Sequence, residues 1–263
     1  MFIKRLFSAV VLIGIIIIAI ILKPVFSVAI MFFIIVGLYE YFTMLEKKGI
    51  KIYKYFGIGL GSIIPLSILL RFELTKRWEF FFIVIMLLFL ILMQFRRRKS
   101  TGVIVDISTT LFGIMYVSWF MSFLIKIRFL PGGAGYLASI LLITKLGDIG
   151  AYLFGSRFGK TPLMPHVSPK KTVEGAIAGL VCSVIGALLS RPFLHFNYIH
   201  LALLGIWLGA LGQLGDLSES LLKRDCEVKD SGKILPGMGG MLDELDSLLF
   251  VAPVFYFYLS AVL

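Results

Sequence analysis

The length of its uncharged apolar runs constrains this sequence most. VVLIGIIIIAIIL, residues 10–22, is one of several stretches that, with their flanks, approach the roughly 20 residues needed to cross a bilayer. A soluble domain is about half apolar and about a quarter charged. Here 59% of residues are hydrophobic, 16% are charged and the mean hydropathy is +0.98. The strands of a membrane barrel alternate over short segments, and these runs do not. The reading is therefore an all-α integral membrane protein, one polytopic domain over residues 1–263. About nine transmembrane helices are expected, near 6–22, 25–45, 54–71, 78–95, 103–125, 133–155, 173–190, 198–223 and 241–261. The first run follows Lys4 and Arg5 as a signal peptide would. It is long for one, and no A-x-A-like cleavage site follows, so it reads as the first helix.

The net charge of +11 would suggest nucleic acid in a soluble protein, but here its placement matters more. With the N-terminus inside, eighteen Lys and Arg fall on the inner side, among them Lys47, Lys48, Arg96–Lys99, Lys170, Lys171, Lys223 and Arg224. Seven fall outside, and Lys145 lies within a span. Cytoplasmic loops carry such an excess, which puts the N-terminus in the cytoplasm and the C-terminus outside. The positive charge then reflects topology and anionic headgroups rather than nucleic acid. The two richest polar loops, about 156–172 and 224–240, share the cytoplasmic side. Cys182, in an apolar run, and Cys226, in a charged loop, suggest neither a disulfide nor a cysteine-based metal site.

Acids are concentrated in one place. Eight of the 15 lie between residues 216 and 246. Asp216, Ser220 and Lys223 are spaced to share one helix face, as are Asp243 and Asp246, with Glu244 turned elsewhere. Three converging carboxylates repel one another unless a hard cation joins them, and oxygen ligands suit Mg²⁺ or Mn²⁺. The plainer alternative is dipole-favoured acids at a helix start, which explains one acid better than three. Pro236-Gly237 and Gly239-Gly240 allow a tight turn and bring N–H groups to a helix N-terminus, an anion site. Beside Lys223, Arg224, Lys229 and Lys233, a phosphate-bearing substrate is favoured over a plain turn. Gly205, Gly209, Gly212 and Gly215 form a stripe for close helix packing.

A second polar block spans residues 144–175. Lys145 and Asp148, three residues apart in an apolar run, are either functional or a mutually neutralising pair. Ser168-Pro169-Lys170-Lys171-Thr172 offers hydroxyls and cations to phosphate just before a helix. His166 reads as a loop histidine rather than a base.

SESLLKRDCEVKDSGKILPGMGGMLDELD, residues 218–246, closely resembles the signature of the phosphatidate cytidylyltransferase, or CDP-diacylglycerol synthase, family. DIGAYLFGSRFGK and SPKKTVEG resemble its second characteristic block. The resemblance implies a nucleotidyltransferase of phospholipid biosynthesis that uses CTP, phosphatidic acid and Mg²⁺. It places the catalytic region at about 144–246, on the cytoplasmic face of the inner (plasma) membrane, and implies a homodimer. It assigns metal ligation to Asp216, Asp243 and Asp246, with Lys223 beside them as catalytic. Substrate contacts fall to Asp148, Ser168, Lys171, Thr172, Ser220, Arg224, Lys229, Asp230, Gly239 and Gly240. Met238, Glu244, Lys145 and Val173 depart from the family's usual His, Arg, Trp and Trp. The rivals are a CTP-dependent lipid kinase, which would release CDP, and a polytopic transporter, which would consume no nucleotide. A CDP-alcohol phosphotransferase would need D-G-x-x-A-R, which is missing.

Overall fold

The computed structural model describes residues 14, 20–50, 52–70, 77–95, 101–235, 237 and 239–263; of residues 77–80 it describes the backbone alone. Most of the first expected span, and Met238, lie outside these residues. The helices are α1 (Lys23–Lys47), α2 (Lys54–Leu69), α3 (Arg77–Gln94), α4 (Val103–Phe129), α5 (Gly133–Phe158), α6 (Val173–Leu189), α7 (Arg191–Leu194), α8 (Tyr198–Asp225) and α9 (Met241–Val262). Within α4 the stretch Ile114–Trp119 is π-helical.

Five helices, α1, α4, α5, α8 and α9, are long and apolar enough to cross a membrane, which makes this a multi-pass membrane protein. The other expected spans correspond to α2, α3 and α6, apolar helices of fewer than 18 described apolar residues. The all-helical expectation also needs one addition. The loop after α5 folds into an antiparallel hairpin, β1 (Pro162–Met164) and β2 (Ser168–Thr172), pairing Pro162 with Thr172 and Met164 with Ser168.

The surface is oily where a soluble protein's would be polar. Val84, Ile104, Tyr152, Leu203 and Ile206 are exposed on outer helix faces, while the buried centre gathers Ile34, Leu38 and Phe42 of α1, Phe123 of α4 and Leu249 and Phe255 of α9. Lipid tails offer helices no hydrophobic drive to associate, so association depends on close packing of small residues. Gly150 of α5 lies against Cys182 of α6, and Gly205 and Gly209 of α8 lie against Val184 and Ser183 of α6. A Cβ on Gly215 would come within 2.5 Å of the Asp246 carbonyl, so α8 and α9 touch backbone to backbone there. The glycine stripe is thus a packing device, facing α6 at one end and α9 at the other.

Caps decide where helices begin. Thr172 Oγ1 accepts the Gly175 N–H at 3.2 Å to start α6, and Asn197 Oδ1 accepts the His200 N–H at 2.8 Å to start α8. Glu174 closes the hairpin onto α6 by accepting the Lys160 N–H at 3.1 Å and the Thr161 hydroxyl at 3.0 Å.

Two neighbouring glycines make a matched test of this packing. Gly215→Ala is expected to lower the melting temperature in detergent, at a cost of about 1–3 kcal/mol for overpacking against backbone. Gly212→Ala, whose Cβ would meet its nearest neighbours at 3.7 Å, is expected to be neutral or mildly stabilising. Differential scanning calorimetry of both variants checks the contrast.

Candidate active site

The packed ends of α5, α8 and α9 and the hairpin enclose a cavity of about 650 Å³. Lys145 and Asp148 come from α5, Ser168, Lys170, Lys171 and Thr172 from β2, Gln213 and Asp216 from α8, and Asp243, Glu244, Asp246 and Ser247 from α9. The two polar blocks of the sequence, about 144–175 and 216–246, therefore meet in space.

Carboxylates and lysines alternate across this cavity. Lys145 Nζ lies 3.6 Å from Asp148 and 4.0 Å from Glu244, and donates to the Glu244 carbonyl at 3.1 Å. Lys171 Nζ lies 2.5 Å from Asp216 Oδ2, a close ion pair between the hairpin and α8. Ser247 Oγ stands 3.3 Å from Asp148 Oδ1 and 3.3 Å from Asp246 Oδ1, linking two carboxylates from different helices. Asp246 is only 8% exposed, and its Oδ1 accepts the Ser247 N–H at 2.6 Å. Glu244 was expected to face away from Asp246, yet it lines the same cavity, beside Lys145 of α5.

The remaining expected residues form a second cluster beside the cavity. Lys223, expected to act on substrate, is outside the lining. Its ammonium bonds Asp243 at 2.6 Å and also Glu219, whose side chain is fully buried. Asp243 reaches the cavity wall, but Oδ1 accepts from Lys223 while Oδ2 accepts from the Gly240 N–H at 2.7 Å and the Ser231 N–H at 3.0 Å. The N–H groups expected to bind phosphate are occupied as well: Gly239 donates to the Leu235 carbonyl and Gly240 to Asp243. The turn before α9 thus closes on itself in this structure. Arg224 clasps the Val167 carbonyl at 3.2 Å and the Val228 carbonyl at 3.3 Å, bracing the hairpin against α8. Ser220 is buried, and Lys229 and Asp230 are exposed; none of the three lines the cavity.

The sequence reading missed Glu40. This carboxylate of α1 is 2% exposed and accepts the Met241 N–H at 3.0 Å and the Leu242 N–H at 2.9 Å, with Ser231 Oγ at 3.1 Å. It caps α9 from another helix, and its negative charge suits the positive end of that helix's dipole. Gly240 is required here, since a Cβ would come within 2.6 Å of Glu40 Oε2. The available signal was a lone acid in an apolar run, which such positions make functional or paired by default.

Below the membrane end of this cluster, Lys48 bonds Asp225 at 2.5 Å, and that bond holds the Lys48 ammonium above the usual lysine range. Burial likewise pushes up the neighbouring Cys226 thiol, which disfavours the reactive thiolate.

Glu40→Ala strips a charged acceptor from two buried N–H groups, a loss of about 1.5–3 kcal/mol per bond to a charged group. Lower melting temperature and faster proteolysis between residues 227 and 240 are expected, with Glu40→Gln intermediate because its single carbonyl oxygen still accepts.

The sequence model of the cytidylyltransferase family matches residues 3–262. The phosphatidate cytidylyltransferase of Synechocystis is 34% identical over 267 residues, covering 90% of this chain and 89% of the relative. That of Bacillus subtilis is 34% identical over 230 residues, covering 83% and 84%, and one from Staphylococcus aureus is 46% identical over 152 residues, covering 57% and 58%. Since the family match runs through both polar blocks and every element that lines the cavity, the chain belongs to the cytidylyltransferase family.

Proposed function

We propose that this chain transfers CMP from CTP to phosphatidic acid, giving CDP-diacylglycerol and pyrophosphate, in the cavity between α5, α8, α9 and the hairpin. The observation that carries the reading is one cavity holding Asp148, Asp216, Glu244 and Asp246 together with the ammonium groups of Lys145 and Lys171. Such a set suits a triphosphate and a lipid phosphate, which bring charge that lysines neutralise. The Lys and Arg asymmetry supports a cytoplasmic cavity with the N-terminus on the same side; the further apolar runs support more than five crossings.

The nucleophile needs no general base, because a phosphatidate oxygen is already anionic at neutral pH. It attacks the α-phosphorus of CTP, a new P–O bond forms, and the bond to the β-phosphate oxygen breaks to release pyrophosphate. This chain supplies alignment and charge neutralisation. Lys171 and Lys145 hold phosphate oxygens, the Ser168 and Thr172 hydroxyls donate from the hairpin, and Asp216 keeps Lys171 directed across the cavity. Tyr152 and Leu217 on the rim meet the lipid's apolar part.

Among the described residues no three His, Cys, Asp or Glu side chains are grouped to hold a metal ion. The donor chemistry of the cavity, carboxylates from separate helices, suits an ion that takes one or two carboxylates and completes its shell with water and substrate phosphates, as Mg²⁺ does. Asp148 and Asp246, joined through Ser247, would hold it, with Asp216 adjacent; Asp243 is committed to Lys223, Ser231 and Gly240. Such an ion supplies charge neutralisation on the leaving pyrophosphate.

Asp148→Asn and Asp246→Asn are each expected to lower turnover of radiolabelled CTP roughly a hundred-fold or more, with the protein still monodisperse. Asp243→Asn is expected to lower the melting temperature as well. The deciding assay supplies detergent-purified protein with phosphatidic acid and each of four nucleoside triphosphates, with Mg²⁺ present or chelated. CTP-dependent release of pyrophosphate is expected; release of CDP would indicate a kinase, and near-normal rates in both Asn variants would overturn the site.

A further inference from the structure

At the other end of α5 lies a second cavity, of about 640 Å³, that cytidylyl transfer does not use. From Gly133 to Asp148 the helix rises about 20 Å, so this cavity sits toward the opposite membrane boundary. Three basic side chains from separate elements line it: Lys23 at the start of α1, Arg128 in the last turn of α4 and His195 at the end of α7. Among the described residues, no carboxylate does.

Arg128 is only 5% exposed. Its Nη2 donates to the Ile21 carbonyl at 3.1 Å, while its Nε is buried with no hydrogen-bond partner. An unfilled charged donor is costly, and the planar guanidinium fork matches phosphate oxygens in pairs. The turn from α4 to α5 adds to this. Gly132 adopts φ 76°, and a Cβ on Gly133 would lie 2.5 Å from the Arg128 carbonyl, so the turn packs its backbone against Arg128. The start of the 26-residue α5 lines the same cavity, but its Gly133 and Gly135 N–H groups already donate to the Leu130 and Gly132 carbonyls, so the charge there comes from the side chains. Lys23 stands at the N-terminus of α1, where the dipole opposes a cation unless an anion sits beside it.

We propose that this cavity binds a phosphate group, carried by an anionic lipid headgroup in the leaflet opposite the catalytic cavity. Arg128 and Lys23 hold the phosphate oxygens, the His195 imidazole lies beside them, and the exposed ring of Phe193 meets the acyl region. The lipid source is favoured over a free anion because the cavity rim is apolar and lies at a helix boundary.

Native mass spectrometry of the delipidated protein tests this, with phosphatidylglycerol, phosphatidylcholine or inorganic phosphate as probe. Phosphatidylglycerol is expected to bind more tightly than phosphatidylcholine, and Lys23→Gln to weaken it roughly five-fold, as for one cation near a lipid surface. Arg128→Gln is expected to weaken it further. Lys23 is exposed, so its variant reports on binding even if Arg128→Gln fails to fold. Displacement of the lipid by inorganic phosphate would keep the anion site and assign it to a free ion. Equal phosphatidylglycerol affinity in the wild type and Lys23→Gln would overturn the proposal.

Discussion

A carboxylate buried in an apolar helix is tolerable only when its oxygens receive hydrogen bonds. Glu40 meets that requirement by taking the N–H groups that α9 leaves unsatisfied at its start. Each side's deficit is the other's remedy: a helix N-terminus carries free donors, and a buried acid needs them. The contact ties α1 to α9 across most of the chain and fixes the rotation at which α9 enters the bundle. Gly232 and Gly240 follow from it, because a side chain at either would strike the Glu40 carboxylate.

With α9 anchored, the acids separate into two sets. Asp243 faces back toward Lys223, Ser231 and Gly240, making the turn before α9 rigid. Asp246, one turn later, faces Ser247 and Asp148 in the cavity. The close approach of Gly215 to the Asp246 carbonyl brings Asp216 to the same wall, where Lys171 of the hairpin reaches it. Asp243 is surrounded by donors from α8 and the preceding turn. Asp148 and Asp216 instead lie beside Lys145 and Lys171, and Asp246 beside Ser247, on the cavity wall.

Much of the architecture was legible. Apolar runs placed helices near 198 and 241, and the structure begins α8 after the Asn197 cap and α9 after Gly240. The glycine stripe of α8 was readable as packing. The β1–β2 hairpin was not, because Pro162–Thr172 is polar and lacks the period-two alternation that marks a half-buried strand. Both polar blocks were recognised as belonging to one site, and Asp148, Ser168, Lys171, Thr172, Asp216, Asp243 and Asp246 do meet in the cavity. Lys223, Arg224, Gly239 and Gly240 drew attention for their residue types, yet each is occupied by a partner distant or local that spacing cannot reveal.

By itself the sequence determined the solvent and the chemistry. Uncharged runs of bilayer length admit only helices in lipid, since every backbone group must be satisfied within its own segment. Clustered aspartates and lysines admit few ligands other than phosphates and hard cations. Tertiary structure alone decided which groups each aspartate meets. Asp243 and Asp246 are three residues apart on one helix, and helical periodicity treats them alike. Only the donors that α8 and the 231–240 turn bring to Asp243, and do not bring to Asp246, distinguish the two carboxylates, both of which line the cavity.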